Sequence, residues 1–183
     1  PAKLIREKLN KSFVLYKPKD IIAGDFYWLE TNREWTLFAA ADCTGHGVPG
    51  ALVSVVCSNA LNRAIKEFNL TDPGKILDKV RELVIETFEK SESEVKDGMD
   101  ISLCVLDQQS NILKWAGANN PLWIIRKGAN SIEEVKPDHQ PIGTYSVQTP
   151  FTTHQINLKN GDSLYIFTDG FVDQFGGEQG KKF

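Results

Sequence analysis

The 183-residue sequence carries no strong charge of either sign. Its 21 Lys and Arg against 24 Asp and Glu leave a formal net charge of −3. That balance gives no electrostatic case for binding nucleic acid or an anionic membrane surface. Cysteine is scarce: Cys43, Cys57 and Cys104 are odd in number and match no zinc spacing. A disulfide scaffold is thereby excluded. The apolar surroundings of Cys57 and Cys104 mark them as small buried residues, and a reducing, cytoplasmic compartment fits. No apolar run reads as a transmembrane segment, and no signal peptide is visible. There is no internal repeat and no low-complexity tract. With 41% hydrophobic residues the chain has material for a core without staples, at the size of one domain.

What is present reads as hairpins, then two helices, then more hairpins. Residues 1–12 begin with a charged stretch, a helical lead-in from something upstream; Pro1 and the final GGEQGKKF suggest a piece of a longer protein. A segment ending in Gly24-Asp25-Phe26-Tyr27-Trp28-Leu29-Glu30, a turn at 31–34 and Trp35–Ala41 predict a hairpin. Apolar spacing predicts a helix from about Gly50 to Phe68. A second helix follows, capped by Asp72, opened by Pro73 and striped with Ile76, Leu77, Val80, Leu83, Val84 and Phe88. Short strands are expected at Ile101–Leu106, Ile112–Ala116, Leu122–Arg126, Ile132–Val135, Phe151–Ile156 and Leu164–Thr168. This is an α+β pattern with antiparallel sheet, not the alternation of a doubly wound fold.

Gly45-His46-Gly47-Val48-Pro49-Gly50 matches the dinucleotide fingerprint G-x-G-x-x-G. Its context does not. After the following helix come Asn69-Leu70-Thr71-Asp72-Pro73, a turn into another helix, where a parallel strand ending in an acidic residue is required. Pro49 also removes a backbone N–H. No Gly-Lys-Ser/Thr follows, so a P-loop is excluded too.

The carboxylates point elsewhere. For a hairpin loop centred near Arg33–Glu34, residues whose numbers add to about 67 pair, and Asp25 and Asp42 do so. Facing carboxylates repel. A divalent cation relieves them, and oxygen-only sites suit magnesium or manganese. Asp169, in Thr168-Asp169-Gly170, is a third strand-end aspartate. Asp97-Gly98-Met99-Asp100 is a fourth acidic stretch, read equally well as a plain turn or as an edge of the site.

Together the stretches KPKDIIAGDFYW, AADCTGHGVPGAL, DGMDISLCVLD, WAGANNPLWI, QPIG and YIFTDGFVDQFG, over about Phe13–Phe175, resemble the metal-dependent protein phosphatases. The closest resemblance is to the SpoIIE-like bacterial branch of the protein phosphatase 2C-like (PPM) superfamily. The resemblance implies a phosphatase domain over 13–183 with an αββα sandwich of two antiparallel sheets. It implies two Mn2+ or Mg2+ ions held by Asp25, Asp42 and Asp169, with the Cys43 backbone carbonyl contacting one, and makes these aspartates the catalytic set. The implied reaction is hydrolysis of phosphoserine or phosphothreonine on a protein, by analogy an anti-sigma-factor antagonist, under an upstream sensor domain. The branch's terminal Asp-Asp-hydrophobic-Thr motif is not in the sequence, which keeps a catalytically impaired, partner-binding module as the alternative. His46 lies four residues after Asp42, not two as in the eukaryotic motif, and receives no acid role. Cys43 is followed after five residues by Pro49, not Arg, so a thiolate phosphatase is excluded.

Overall fold

The computed structural model describes residues 2–18, 21–31, 34–89, 97–171, 175–176 and 181–182. Helix α1 (Ala2–Lys8) buries no residue. Strands β1 (Phe26–Thr31) and β2 (Trp35–Cys43) form the first hairpin; residues 32–33 of its expected turn lie outside the described residues. Helices α2 (Gly47–Lys66) and α3 (Pro73–Glu89) follow. Then come β3 (Met99–Asp107), β4 (Ile112–Ala118), β5 (Leu122–Ile125), β6 (Glu133–Val135), β7 (His154–Asn157) and β8 (Ser163–Tyr165). A 3-10 turn (Asp169–Phe171) and two short strands, β9 (Phe175–Gly176) and β10 (Lys181–Lys182), complete the description.

Two antiparallel sheets carry the fold: five strands in the order β1-β2-β3-β4-β7, and three in the order β6-β5-β8. Alternation along the strands builds two cores. Leu37, Ala39 and Ala41 of β2 and Ile101, Leu103 and Val105 of β3 face one way, where Val53, Cys57, Ala60 and Leu61 of α2 and Ile76, Leu77 and Val80 of α3 meet them. Alanines on both sides let the helices approach the sheet closely. Cys104, Leu113 and Trp115 face the other way and pack with Leu122 and Ile124 of the smaller sheet. The Trp115 indole donates to Ser102 Oγ at 2.8 Å and that hydroxyl donates to the Pro121 carbonyl at 3.2 Å, so this second core buries no unpaired indole. The described layers are therefore helix pair, sheet, sheet, an α+β fold; a second outer helical layer is not among the described residues.

Helix α2 is long and apolar enough by composition to cross a membrane. Its Val53, Cys57, Ala60 and Leu61 are instead buried in the first core, although Val48, Leu52 and Val55 are exposed on its outer side. It starts at Gly47, three residues before the predicted start, because Pro49 falls within the first turn, where no helix hydrogen bond needs its N–H. Helix α3 begins at Pro73 as predicted. Asp72 Oδ1 accepts from the Lys75 backbone N–H at 3.2 Å and from Thr153 Oγ1 at 2.6 Å. That contact corrects the expected strand Phe151–Ile156. Residues 151–153 tie to α3, with the Phe151 N–H on Asp78 Oδ1 at 3.2 Å, and pairing starts only at His154. The expected strand Leu164–Thr168 likewise stops at Tyr165.

Candidate functional site

The observed hairpin register pairs Phe26 with Ala41, so one further step sets Asp25 opposite Asp42 at the sheet edge. The next ladder pairs Asp42 with Asp100. The segment after β8 brings Asp169 to the same edge: Thr168 Oγ1 donates to Asp25 Oδ2 at 2.8 Å across 143 residues. The Asp25 backbone carbonyl accepts from the Tyr16 hydroxyl at 3.0 Å.

Asp42 is the centre. Its pKa is pushed up from 3.8 to about 8, first by burial, then by hydrogen bonds to Asp169 and Asp25 and by their charges. Asp100 is also raised, mainly by burial and also by the Asp169 charge, against a lowering hydrogen bond from Asn119 Nδ2 at 2.8 Å. Asp25, Asp42 and Asp169 are thus brought together, and Asp100 joins them. Among the described residues no three His, Cys, Asp or Glu are gathered tightly enough to cage an ion as they stand. The aspartates instead touch through Asp42, and like charges that close require a proton or a cation. With oxygen donors only, the set fits a hard divalent cation. A cleft of about 210 Å³ opens beside it, lined by Asp42, Cys43, Thr44, Gly45, Asp100 and Pro141. A larger hollow of about 550 Å³ lies on α3 around Arg81, Glu82 and Glu86. Arg81 there is tied to Asp78, Gln140 and the Thr149 carbonyl, so that hollow offers no comparable free chemistry.

The glycine loop makes the turn from β2 into α2. Gly45 and Gly47 have φ of 88° and 64°, which side chains rarely adopt. A Cβ on Gly50 would strike the Gly45 carbonyl. His46 caps α2 without a side-chain hydrogen bond and is exposed. The Cys43 side chain is buried against Cys57, and that hydrogen bond and burial hold its thiol far above the usual range, so it is no nucleophile. The Cys43 carbonyl oxygen faces Gly24, 2.9 Å from where a Cβ would stand.

Of the two readings of the Asp97–Asp100 stretch, the structure favours the edge of the site: Asp100 stands opposite Asp42, a register that no turn centre announces because two helices separate β2 from β3. Two contributors were not legible as such. Asn119, at φ 56°, orients Asp100 from the end of β4. Thr168 acts across the two sheets; its only signal is its place beside Asp169.

Comparison with known proteins shows the family and the fold. The profile of the stage II sporulation protein E (SpoIIE) family matches residues 32–183. The SiaA-PP2C domain of Pseudomonas aeruginosa is 30% identical, with TM-score 0.86, over 100% of this chain and 70% of that one. The RsbU and RsbW domains of Rv1364c from Mycobacterium tuberculosis share the fold at 23% identity and TM-score 0.68, over 86% of this chain and 42% of that one. RsbX in complex with magnesium shares it at 16% identity and TM-score 0.63, over 86% and 71%. No curated protein matches the sequence. The chain belongs to the SpoIIE family, a bacterial branch of the PP2C-like (PPM) serine/threonine phosphatase domains.

Proposed function

We propose that this domain is a Mn2+- or Mg2+-dependent protein phosphatase acting on phosphoserine or phosphothreonine. The observation that carries the reading is the meeting of three aspartates distant in sequence, Asp25 before β1, Asp42 in β2 and Asp169 opening the 3-10 turn, where burial and the neighbouring carboxylates push the Asp42 pKa up to about 8. Asp25, Asp42 and Asp169, with the Cys43 carbonyl, are the residues that would hold two divalent cations. Bound there, such cations supply a nucleophile at neutral pH and offset charge on a phosphoryl group. Asp42 would then be ionised, since a cation would offset the repulsion from Asp25 and Asp169. Asp25 and Asp169 approach it from opposite sheets and fix the spacing of the donors. Thr44 and Gly45, both exposed, line the cleft at the surface, which suits a phosphorylated side chain on a protein. The magnesium in the RsbX structure supports the choice of metal.

The αββα sandwich is the architecture we assign, with α2 and α3 as one outer layer. Three free, buried cysteines support a cytoplasmic setting. The substrate we favour is a phosphorylated anti-sigma-factor antagonist, with an upstream sensor domain as regulator; the RsbU and RsbW domains of the mycobacterial relative support this by analogy. One observation favours a second reading, a phosphatase-like partner-binding module: no described trio of ligands forms a finished cage.

The test is hydrolysis of p-nitrophenyl phosphate and of a phosphoserine peptide, with manganese or EDTA, beside Asp42→Ala. Manganese-dependent turnover that disappears in the variant supports the phosphatase. No turnover, with no manganese binding by calorimetry, hands the case to the partner-binding module.

A further inference from the structure

Asp25 lies one residue before the β1–β2 ladder begins at Phe26, so no strand pairing fixes its backbone. Its carbonyl is held by the Tyr16 hydroxyl at 3.0 Å, from a segment whose own side chains are largely exposed. Its carboxylate is held by Thr168 Oγ1 at 2.8 Å, from the chain leaving the other sheet. Thr168 sits beside Asp169 and two residues before Gly170, whose Cβ position would lie 3.8 Å from the same Asp25 oxygen. The Thr-Asp-Gly segment therefore folds around one oxygen of Asp25 while its own aspartate reaches Asp42.

We propose that Thr168 is a positioning residue for the metal centre: its hydroxyl occupies Asp25 Oδ2 and so fixes how Asp25 faces Asp42 and Asp169. The inference rests on the metal-dependent reading above. A carboxylate one residue beyond its ladder and held only through its contact with Asp42 keeps more than one orientation about its side-chain bonds. A hydroxyl donor selects one of them. The same bond ties the edge of the larger sheet to the chain leaving the smaller, beside the hydrogen bonds that Asp42 makes with both Asp25 and Asp169. A structural hydroxyl elsewhere in the core, such as Ser102 between Trp115 and Pro121, touches no carboxylate of the site.

The test compares wild type, Thr168→Val and Thr168→Ser by calorimetric titration with manganese and by thermal unfolding in EDTA. Valine keeps the shape and removes the donor; serine keeps the donor and removes a methyl. Partners that orient metal ligands typically contribute about 10–100-fold in affinity. The expected result is manganese affinity about 10-fold weaker or more in the valine variant, recovery to within about 3-fold of wild type in the serine variant, and a valine midpoint in EDTA within a few degrees of wild type. A purely structural role predicts the reverse: lowered midpoint and unchanged affinity. Equal affinity in wild type and Thr168→Val overturns the inference and leaves the metal reading intact. Affinity as weak in serine as in valine also overturns it, because a retained hydroxyl donor then does not position Asp25. If wild type takes up no manganese, the metal reading falls and this inference falls with it.

Discussion

Replacing Asp42 by Asn separates what the site costs from what it does. In the folded chain Asp42 gives up its proton only near pH 8, against an ordinary value of 3.8. The folded state thus binds that proton more tightly than the unfolded one. Its contribution to stability is fully present below about pH 4 and is lost as pH rises through about 8. Taken whole, the difference is worth several kcal/mol at about 1.36 kcal/mol per pH unit. Water entering the adjacent cleft screens the repulsion, and about 1–2 kcal/mol is the reasonable remainder. Asparagine keeps the shape and removes the charge. In EDTA, Asp42→Asn is therefore expected to unfold at nearly the wild-type temperature near pH 4, and about 3–6 °C above it at about pH 8.5. Manganese inverts the order. A cation at a hundred times its dissociation constant adds about 2.7 kcal/mol to the wild type, and the variant gains little. The assay is thermal unfolding across pH, with EDTA and with manganese. A variant less stable than wild type at alkaline pH in EDTA, or a difference that does not change with pH, refutes the electrostatic account of the site.

Three further outcomes follow from named contacts. Asp169→Asn is expected to lower phosphatase kcat/KM at least about 100-fold and to weaken manganese binding measured by calorimetry, because it removes a charge that reaches both Asp42 and Asp100; full activity removes Asp169 from the site. Gly50→Ala is expected to lose about 1–3 kcal/mol in urea unfolding, since its Cβ meets the Gly45 carbonyl and lies 3.3 Å from Gly24 Cα; unchanged stability means that loop is loose. Arg126→Ala is expected to lower the unfolding midpoint by about 2–4 °C with manganese affinity unchanged. Arg126 clasps Glu133 at 2.7 Å and Asp162 at 2.9 Å in the smaller sheet, away from the aspartates. A shift in metal affinity there contradicts a purely structural clasp.

Legibility tracked how local the determining interaction is. The β1–β2 register was readable because one short turn joins the strands; every pair in that ladder keeps the same numerical sum, and Asp25 and Asp42 share it. Helix α3 was readable from Asp72, Pro73 and a single apolar stripe. Asp100 stayed open between a plain turn and an edge of the site, because its partner Asp42 is reached only after α2 and α3 have packed on the sheet. Residues 151–153 read as strand from their composition, yet Thr153 and the Phe151 N–H are spent on Asp72 and Asp78, so tertiary contacts outbid the pairing propensity. Thr168 was hidden for the same reason, with its partner 143 residues away.

The glycine loop shows why a motif needs its neighbours. Gly45 and Gly47 adopt the left-handed backbone that a phosphate-cradling turn also uses, and Gly50 makes the close approach that such loops also make. On the glycines alone the two sites are indistinguishable. The distinguishing atom is upstream: an acidic side chain at the end of β2 repels a pyrophosphate and attracts a cation. Asp42 is that residue, and its neighbours strengthen the case. Asp25, Asp169 and Asp100 add negative charge to the same edge, while Pro49 withholds an N–H where an anion needs donors. The loop's task is therefore geometric. It turns the chain from Asp42 into α2 by Gly47 and leaves the aspartates beside an open cleft at the sheet edge.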